Sequence, residues 1–336
     1  MTFEFKSSTR SFASKRNRSA QIRTAERPIS DILGQPAARG LLGLLLLLCI
    51  GAVFAPRTIS LSAWVPMLRF IAILGFAAIG QHLVIQQKGF NLSVAGVMSV
   101  AFVIVTALPG PPVFALVALA IIAGIFAGMV AGLAITVLRT SPIVATIGVN
   151  ALLLGAALRL SHGGATSAPQ SLIDFSYSNV LGVPTIFLLL IAVTIATGTI
   201  LSRTPIGRRF VAAGTSARAA YILAVPVDLY RTTTYAIAGL FFAIAGIMLA
   251  GVLNTITVFA GNPYILTTVA AFVVGGNTFG DTRSSIVATI IGVIFLTYLD
   301  QVLVSLSVPP SAQSIIQAAI VFAGVALPEF AQRRRA

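Results

Sequence analysis

Charge is scarce in this chain, and acid is scarcer than base. Of 336 residues only 9% are charged, with eight acidic side chains against 22 lysines and arginines, which leaves a formal net charge of +14. There is one cysteine, Cys49, so an intrachain disulfide is excluded, and its place inside an apolar run reads as a small buried hydrophobe. Two histidines and eight carboxylates, scattered, form no metal-ligand cluster, and no nucleophile–base constellation emerges. A phosphate-binding loop of the G-x-x-x-x-G-K-[ST] type is missing, so nucleotide hydrolysis is not a function of this chain. The basic residues are spread between apolar segments without aromatic–basic interleaving, which excludes nucleic acid as a partner.

What the chain has is grease. Apolar residues make up 57%, and the mean hydropathy is +0.99, more than a water-soluble domain of this length could hide from solvent. Crossing about 30 Å of hydrocarbon takes roughly 20 residues of helix. Apolar segments occur at 41–55, 64–85, 93–108, 113–138, 143–160, 184–201, 232–252, 264–279, 284–306 and 312–328, divided by proline, glycine and charge. The reading is an all-α integral membrane protein with about ten transmembrane helices. The segments at 93–108 and 264–279 are short enough to be tilted, broken or re-entrant.

Residues 1–39 are polar and basic and read as a solvated tail; 40–328 form the membrane domain, and 329–336 form a short basic C-terminus. The 41–55 run lacks a small-residue cleavage site, which makes it a retained first helix rather than a leader. With both termini in the cytoplasm, nineteen lysines and arginines fall inside and three (Arg57, Arg69 and Arg159) fall outside, as the bias of cytoplasmic loops towards positive charge requires. The segment 202–231 is then the largest internal cytoplasmic loop, and 161–183 a long external one.

The internal loop reads TPIGRRFVAAGTSARAA from Thr204 to Ala220. Its arginines satisfy the charge bias and suit anionic headgroups of the lipid bilayer; a short helix of this kind also suits a groove on a soluble subunit. GRRFVAAGTSARAAYILAVPV, followed by YRTTTYAIAGLFFAIAGIMLAG, resembles the coupling region and next helix of the permease subunits of ribose-, xylose- and autoinducer-type ATP-binding-cassette importers. Gly207, Arg208, Ala212, Gly214, Ala219 and Ala220 match that pattern; Thr215 and Ser216 stand where the family has Gly and Asn, and Ala224 where it often has Gly. Three further stretches resemble the family in order: KGFNLSVAGVMSV (88–100), RTSPIVATIG (139–148) and AAFVVGGNTFGDTRSSIVATIIGVI (270–294).

The resemblance implies a type II importer permease in which helices 2–5 and 7–10 form inverted repeats. It implies a second permease subunit (a copy or a related chain), two ATPase subunits that hold ATP and Mg, and a periplasmic or extracellular substrate-binding protein, with no cofactor on this chain. It places the protein in a bacterial cytoplasmic (inner) membrane and makes Gly207, Arg208, Arg209, Ala212, Gly214, Ala219 and Ala220 the residues that couple to the ATPase. Candidates for the solute pathway are polar or break-forming groups within the membrane domain: Gln81, His82, Phe90, Asn91, Ser93, Asn150 and Asp300. Asn91, Asp281 and Asp300 depart from the family's usual residues, and Asn91 reads equally as a helix cap. Gly124, Gly128 and Gly132, at four-residue spacing, and Gly275 and Gly276 suit close helix packing. The solute expected is small and hydroxylated, a sugar, polyol or related compound. An ion-coupled secondary transporter is the alternative, although it would call for more embedded ionisable groups than Asp300 and His82; a structural subunit without a pathway is a third.

Overall fold

A computed structural model describes residues 36–108, 110–161, 167–222, 224–253, 258–280, 284–309, 311–320 and 322, apart from the side chains of Leu61, Ala217 and Ala219. The tail as far as residue 35, Asp281, the C-terminus and parts of the 161–183 and 312–328 segments lie outside them. The described chain is helical almost throughout: α1 (Pro36–Phe54), α2 (Leu61–Gln86), α3 (Val94–Ala107), α4 (Val113–Thr136), α5 (Pro142–Ser161), α6 (Gln170–Tyr177), α7 (Thr185–Arg203), α8 (Pro205–Thr215), α9 (Ala217–Ile222), α10 (Val227–Leu253), α11 (Tyr264–Val274), α12 (Ile286–Ser305) and α13 (311–320). A two-residue antiparallel ladder pairs β1 (Asn179–Val180) with β2 (Val183–Pro184). Each of the ten apolar segments contains one of these helices. Among the described residues seven helices are long and apolar enough to cross a membrane, and α3 and α11 are shorter apolar helices.

Helix α1 is described from Pro36 to Phe54. It meets the bundle along one stripe, Gly40, Leu44, Leu47 and Gly51. Cys49 falls on the opposite face and is exposed. The sequence reading of a buried cysteine is corrected here: a helix facing acyl chains is apolar all round, so composition does not reveal which side packs on protein.

The core runs along α2 and α10. Their spans are 89% and 72% buried, against 17% for α5 and 11% for α7, so two apolar helices form the axis and others the rim. α10 packs on α4, α2 and α3; α12 packs on α11, α1 and α2; α11 also packs on α2. On exchanging α2, α3 and α4 with α10, α11 and α12, the contacts of α10 with α4 and α3 are matched by those of α2 with α12 and α11. Glycine sets the closeness of the α4–α10 crossing. A Cβ on Gly239 would overlap the carbonyl oxygen of Gly124, and a Cβ on Gly124 would meet the Gly239 carbonyl and the Ala243 methyl.

The bundle has two distinguishable ends. At one lie the C-terminus of α2, the N-termini of α10 and α12, and the α8–α9 element. At the other lie the N-terminal half of α2, the C-termini of α10 and α12, and the α6–hairpin segment. There the Arg69 guanidinium sits 4.5 Å from the centre of the Tyr177 ring and donates to the Tyr177 carbonyl at 3.3 Å, pinning that segment to α2.

Candidate functional site

The 202–231 segment is not an open loop. Thr204 caps α8 by accepting the Gly207 N–H on its hydroxyl at 3.1 Å, and Pro205 pre-sets the first turn. Helical periodicity then turns Gly207, Phe210, Ala213 and Gly214 inward, with Ala212 half-buried, while Arg208 and Arg209 stay exposed and Ile206 is 64% exposed. The inward face makes two backbone-to-backbone contacts that tolerate no side chain. A Cβ on Gly207 would overlap the carbonyl oxygens of Ile200 and Leu201, and a Cβ on Gly214 would overlap that of Gln86. The Gln87 amide donates to the Phe210 carbonyl at 2.8 Å, and the Lys88 ammonium donates to the Thr215 carbonyl at 2.8 Å. α8 is therefore clamped to Gln86, Gln87 and Lys88 at the end of α2.

Next, α9 continues the element. Ala220 joins Ala213 and Val225 in a small buried cluster against Val227 and Tyr230, tying both short helices to the start of α10. Ala219 belongs to α9, its side chain outside the described set. Ala224 closes the turn at a φ of +54°, a left-handed conformation in which glycine is unstrained, which accounts physically for the glycine usual there. On the outer side Arg218, Tyr221 (82%) and Ile222 (80%) are exposed beside Ile206, Arg208 and Arg209. Cations and large apolar groups of this element are thus uncovered together.

Beyond the clamp the chain breaks. Lys88 takes a φ of +58°, and residues 87–93 are non-helical before α3 starts. The break gathers four of the expected pathway residues. Asn91 accepts the Ser93 N–H at 3.0 Å and the Ser93 hydroxyl at 2.7 Å on one oxygen. The Phe90 carbonyl accepts from the Tyr235 hydroxyl at 3.3 Å, and Asn150, on α5, accepts the Gly96 N–H at 2.7 Å. Thr146, one turn earlier on α5, accepts the Leu92 N–H at 3.1 Å. These groups satisfy the free donors at the start of α3, which is a capping arrangement supplied partly from a neighbouring helix. Asn91 and Ser93 are fully buried in it.

Gln81 and His82 sit deeper in α2, both fully buried. His82 Nδ1 lies 2.7 Å from the Thr289 hydroxyl, which also accepts from the Asn277 amide at 3.0 Å; Asn277 in turn accepts the Ser285 N–H at 2.8 Å. The Thr289 hydroxyl, with one donor and two acceptor positions, thus joins the His82 imidazole and the Asn277 amide in one buried polar cluster. Rings continue the connection: His82 to Phe272, Phe272 to Phe279 and Phe279 to Phe90 at centroid separations of 5.3, 5.7 and 5.3 Å. The first pathway candidates thus belong to one connected interior, from the α3 break to the start of α12.

Asp300 lies elsewhere. It accepts a hydrogen bond from the Gln317 amide of α13 and lines a cleft of about 980 Å³ at the end of the bundle away from α8. The cleft is bounded by α2, α10, α11, α12 and α13. Sequence reading had singled out Asp300 but neither Gln317 nor the clamp residues Gln86 and Gln87. The signal available for the clamp was the polar run QQK ending an otherwise apolar helix immediately before Gly89.

Comparison with known proteins agrees with this architecture. Residues 64–325 match the profile of a family described as branched-chain amino acid transport system / permease component. The ribose import permease protein of Escherichia coli (strain K12) is 28% identical over 294 residues, covering 85% of this chain and 92% of that protein. The ribose import permease protein of Bacillus subtilis (strain 168) is 30% identical over 292 residues, covering 85% and 90%. The autoinducer 2 import system permease protein of Yersinia pestis (strain Pestoides F) is 30% identical over 288 residues, covering 85% and 82%. No solved structure gives a significant match.

Proposed function

The chain belongs to the family of branched-chain amino acid transport system permease components, and from that premise we propose that it is the pathway-forming subunit of an ATP-driven importer for a small hydroxylated solute such as a sugar or polyol. Relatives named for ribose and autoinducer 2 import support this solute class. The observation that carries the reading is the α8–α9 element, with its outer face of Ile206, Arg208, Arg209, Tyr221 and Ile222 uncovered and its inner face clamped to the end of α2. A short helix that is rigidly seated yet exposes cations and apolar side chains suits a groove on a partner that moves.

In this reading both termini and α8 face the cytoplasm of a bacterial inner membrane, as the nineteen-to-three split of positive charge supports. The Asp300 cleft then opens outward, where a substrate-binding protein delivers the solute. A second permease completes the pathway, and two ATPase subunits bind the α8–α9 faces. ATP shifts the complex only as far as it binds one conformation better than the other, so the push must reach the membrane helices. The clamp carries it: displacing α8 pulls on Gln86, Gln87 and Lys88, hence on the 87–93 break and the start of α3. ATP and Mg stay with the partners, and this chain performs no covalent step.

The test is affinity purification from the native host under mild solubilisation, followed by uptake in proteoliposomes. The expected outcome is a co-isolated ATPase and uptake that requires ATP. Uptake driven by an imposed ion gradient without ATP, with no ATPase recovered, would overturn the proposal.

A further inference from the structure

Resting on that reading and going beyond it, we infer that Asp300, held by Gln317 in the cleft at the end away from α8, is a charge selector that admits donor-rich polyhydroxylated solutes and turns away anionic ones of the same size. At about 980 Å³ the cleft lies at the upper end of the range of small-molecule sites, roughly 300–1,000 Å³. Its polar groups, among them Asp300, Thr297 and Gln301 on α12, Ser314 and Gln317 on α13, and Tyr264 and Thr267 on α11, are set in a largely apolar lining. Lys, Arg and His are absent among the described residues that line it. The Gln317 amide donates to the carboxylate there, and none of the described lining residues is a cation that would neutralise it.

Two consequences follow from chemistry alone. An ionised carboxylate only accepts hydrogen bonds, and Gln317 satisfies part of its capacity, so a solute that uses the rest must bring donors, as adjacent hydroxyls do. In surroundings less polar than water the uncompensated charge also reaches further, raising the energy of any anion that enters. An aldonate or a sugar phosphate meets both obstacles; a neutral polyol meets neither.

The charge is measurable without knowing the solute. In the full chain with Cys49→Ser, Ser314→Cys places a thiol one turn before Gln317 on the same helix. Its rates of modification by size-matched cationic and anionic thiosulfonates are compared in proteoliposomes. A unit charge lining the same cleft raises one reagent's local concentration and lowers the other's, so the cation is expected to react about tenfold faster. The preference falls to near one with Asp300→Asn and returns with Asp300→Glu, a rescue that a merely structural role would not produce. Equal rates in the presence of Asp300, or a preference that survives Asp300→Asn, overturn the inference.

A second arm uses the assembled importer with ribitol and ribonate as probes. Asp300→Asn is expected to raise uptake of ribonate relative to ribitol several-fold; an unchanged ratio counts against charge selection. Failure to transport either probe while the thiol keeps its preference counts against the solute class proposed above and leaves the selector standing.

Discussion

Replacing Gln87 by leucine separates the clamp's role in transmission from its role in holding the fold. Gln87 is 3% exposed, donates to the Phe210 carbonyl at 2.8 Å, and leaves its own Oε1 buried without a partner among the described residues. Losing a neutral buried hydrogen bond costs about 0.5–1.5 kcal/mol, and removing an unpartnered buried acceptor relieves a penalty of about 1–3 kcal/mol. The two effects oppose, and leucine fills a similar volume, so stability should stay within about 1 kcal/mol of the parent. Gly214→Ala differs: its new methyl would collide with the Gln86 carbonyl, an overpacking that costs about 1–3 kcal/mol. If the amide transmits about 1 kcal/mol of coupling between ATPase and pathway, solute moved per ATP falls about fivefold in Gln87→Leu. The assay measures uptake and ATP hydrolysis in the same proteoliposomes, with thermal unfolding in nanodiscs as the control. Unchanged solute per ATP refutes the transmission argument, and a collapse of thermal stability refutes the energetic one.

Other expectations follow from single contacts. Gly239→Ala drives a methyl into the Gly124 carbonyl at the α4–α10 crossing and should destabilise the protein by about 1–3 kcal/mol, read as a lower unfolding temperature. Ala224→Gly relieves a left-handed alanine after α9 and should stabilise by up to about 1 kcal/mol, with transport unchanged. Arg139 pairs with Asp228 in a two-pronged contact at 3.0 and 2.8 Å, but the side chains are 68% and 48% exposed, so Arg139→Ala should cost less than about 1 kcal/mol, less still in high salt.

The helical skeleton was legible because membrane-spanning segments announce themselves locally: lipid demands a run of apolar residues of fixed length, and each of the ten runs holds a helix. The glycine seams were legible for a similar reason, since Gly124 and Gly128 recur at helical spacing and do meet α10. What escaped depends on contacts distant in the chain. The 202–231 segment looked like a loop with one short helix, yet its stiffness comes from α8 meeting Gln86, Gln87 and Lys88, over 120 positions away. Asp300 was conspicuous as an acid in an apolar run, but Gln317 was not, because an amide near a helix end stands out only once the opposite helix is known. Cys49 was misread for the complementary reason: in a helix apolar on every side, residue type does not separate the packed face from the open one.

The most direct test of the central claim is a crosslink from the outer face of α8. Ile206→Cys, 64% exposed, in a Cys49→Ser background would carry a short photoactivatable reagent in native membranes, with adducts identified by mass spectrometry. The account predicts an ATPase subunit as the main protein adduct, with a yield that changes when ATP is trapped. Adducts to lipid alone, or a yield indifferent to nucleotide while the same membranes remain competent for uptake, would contradict it.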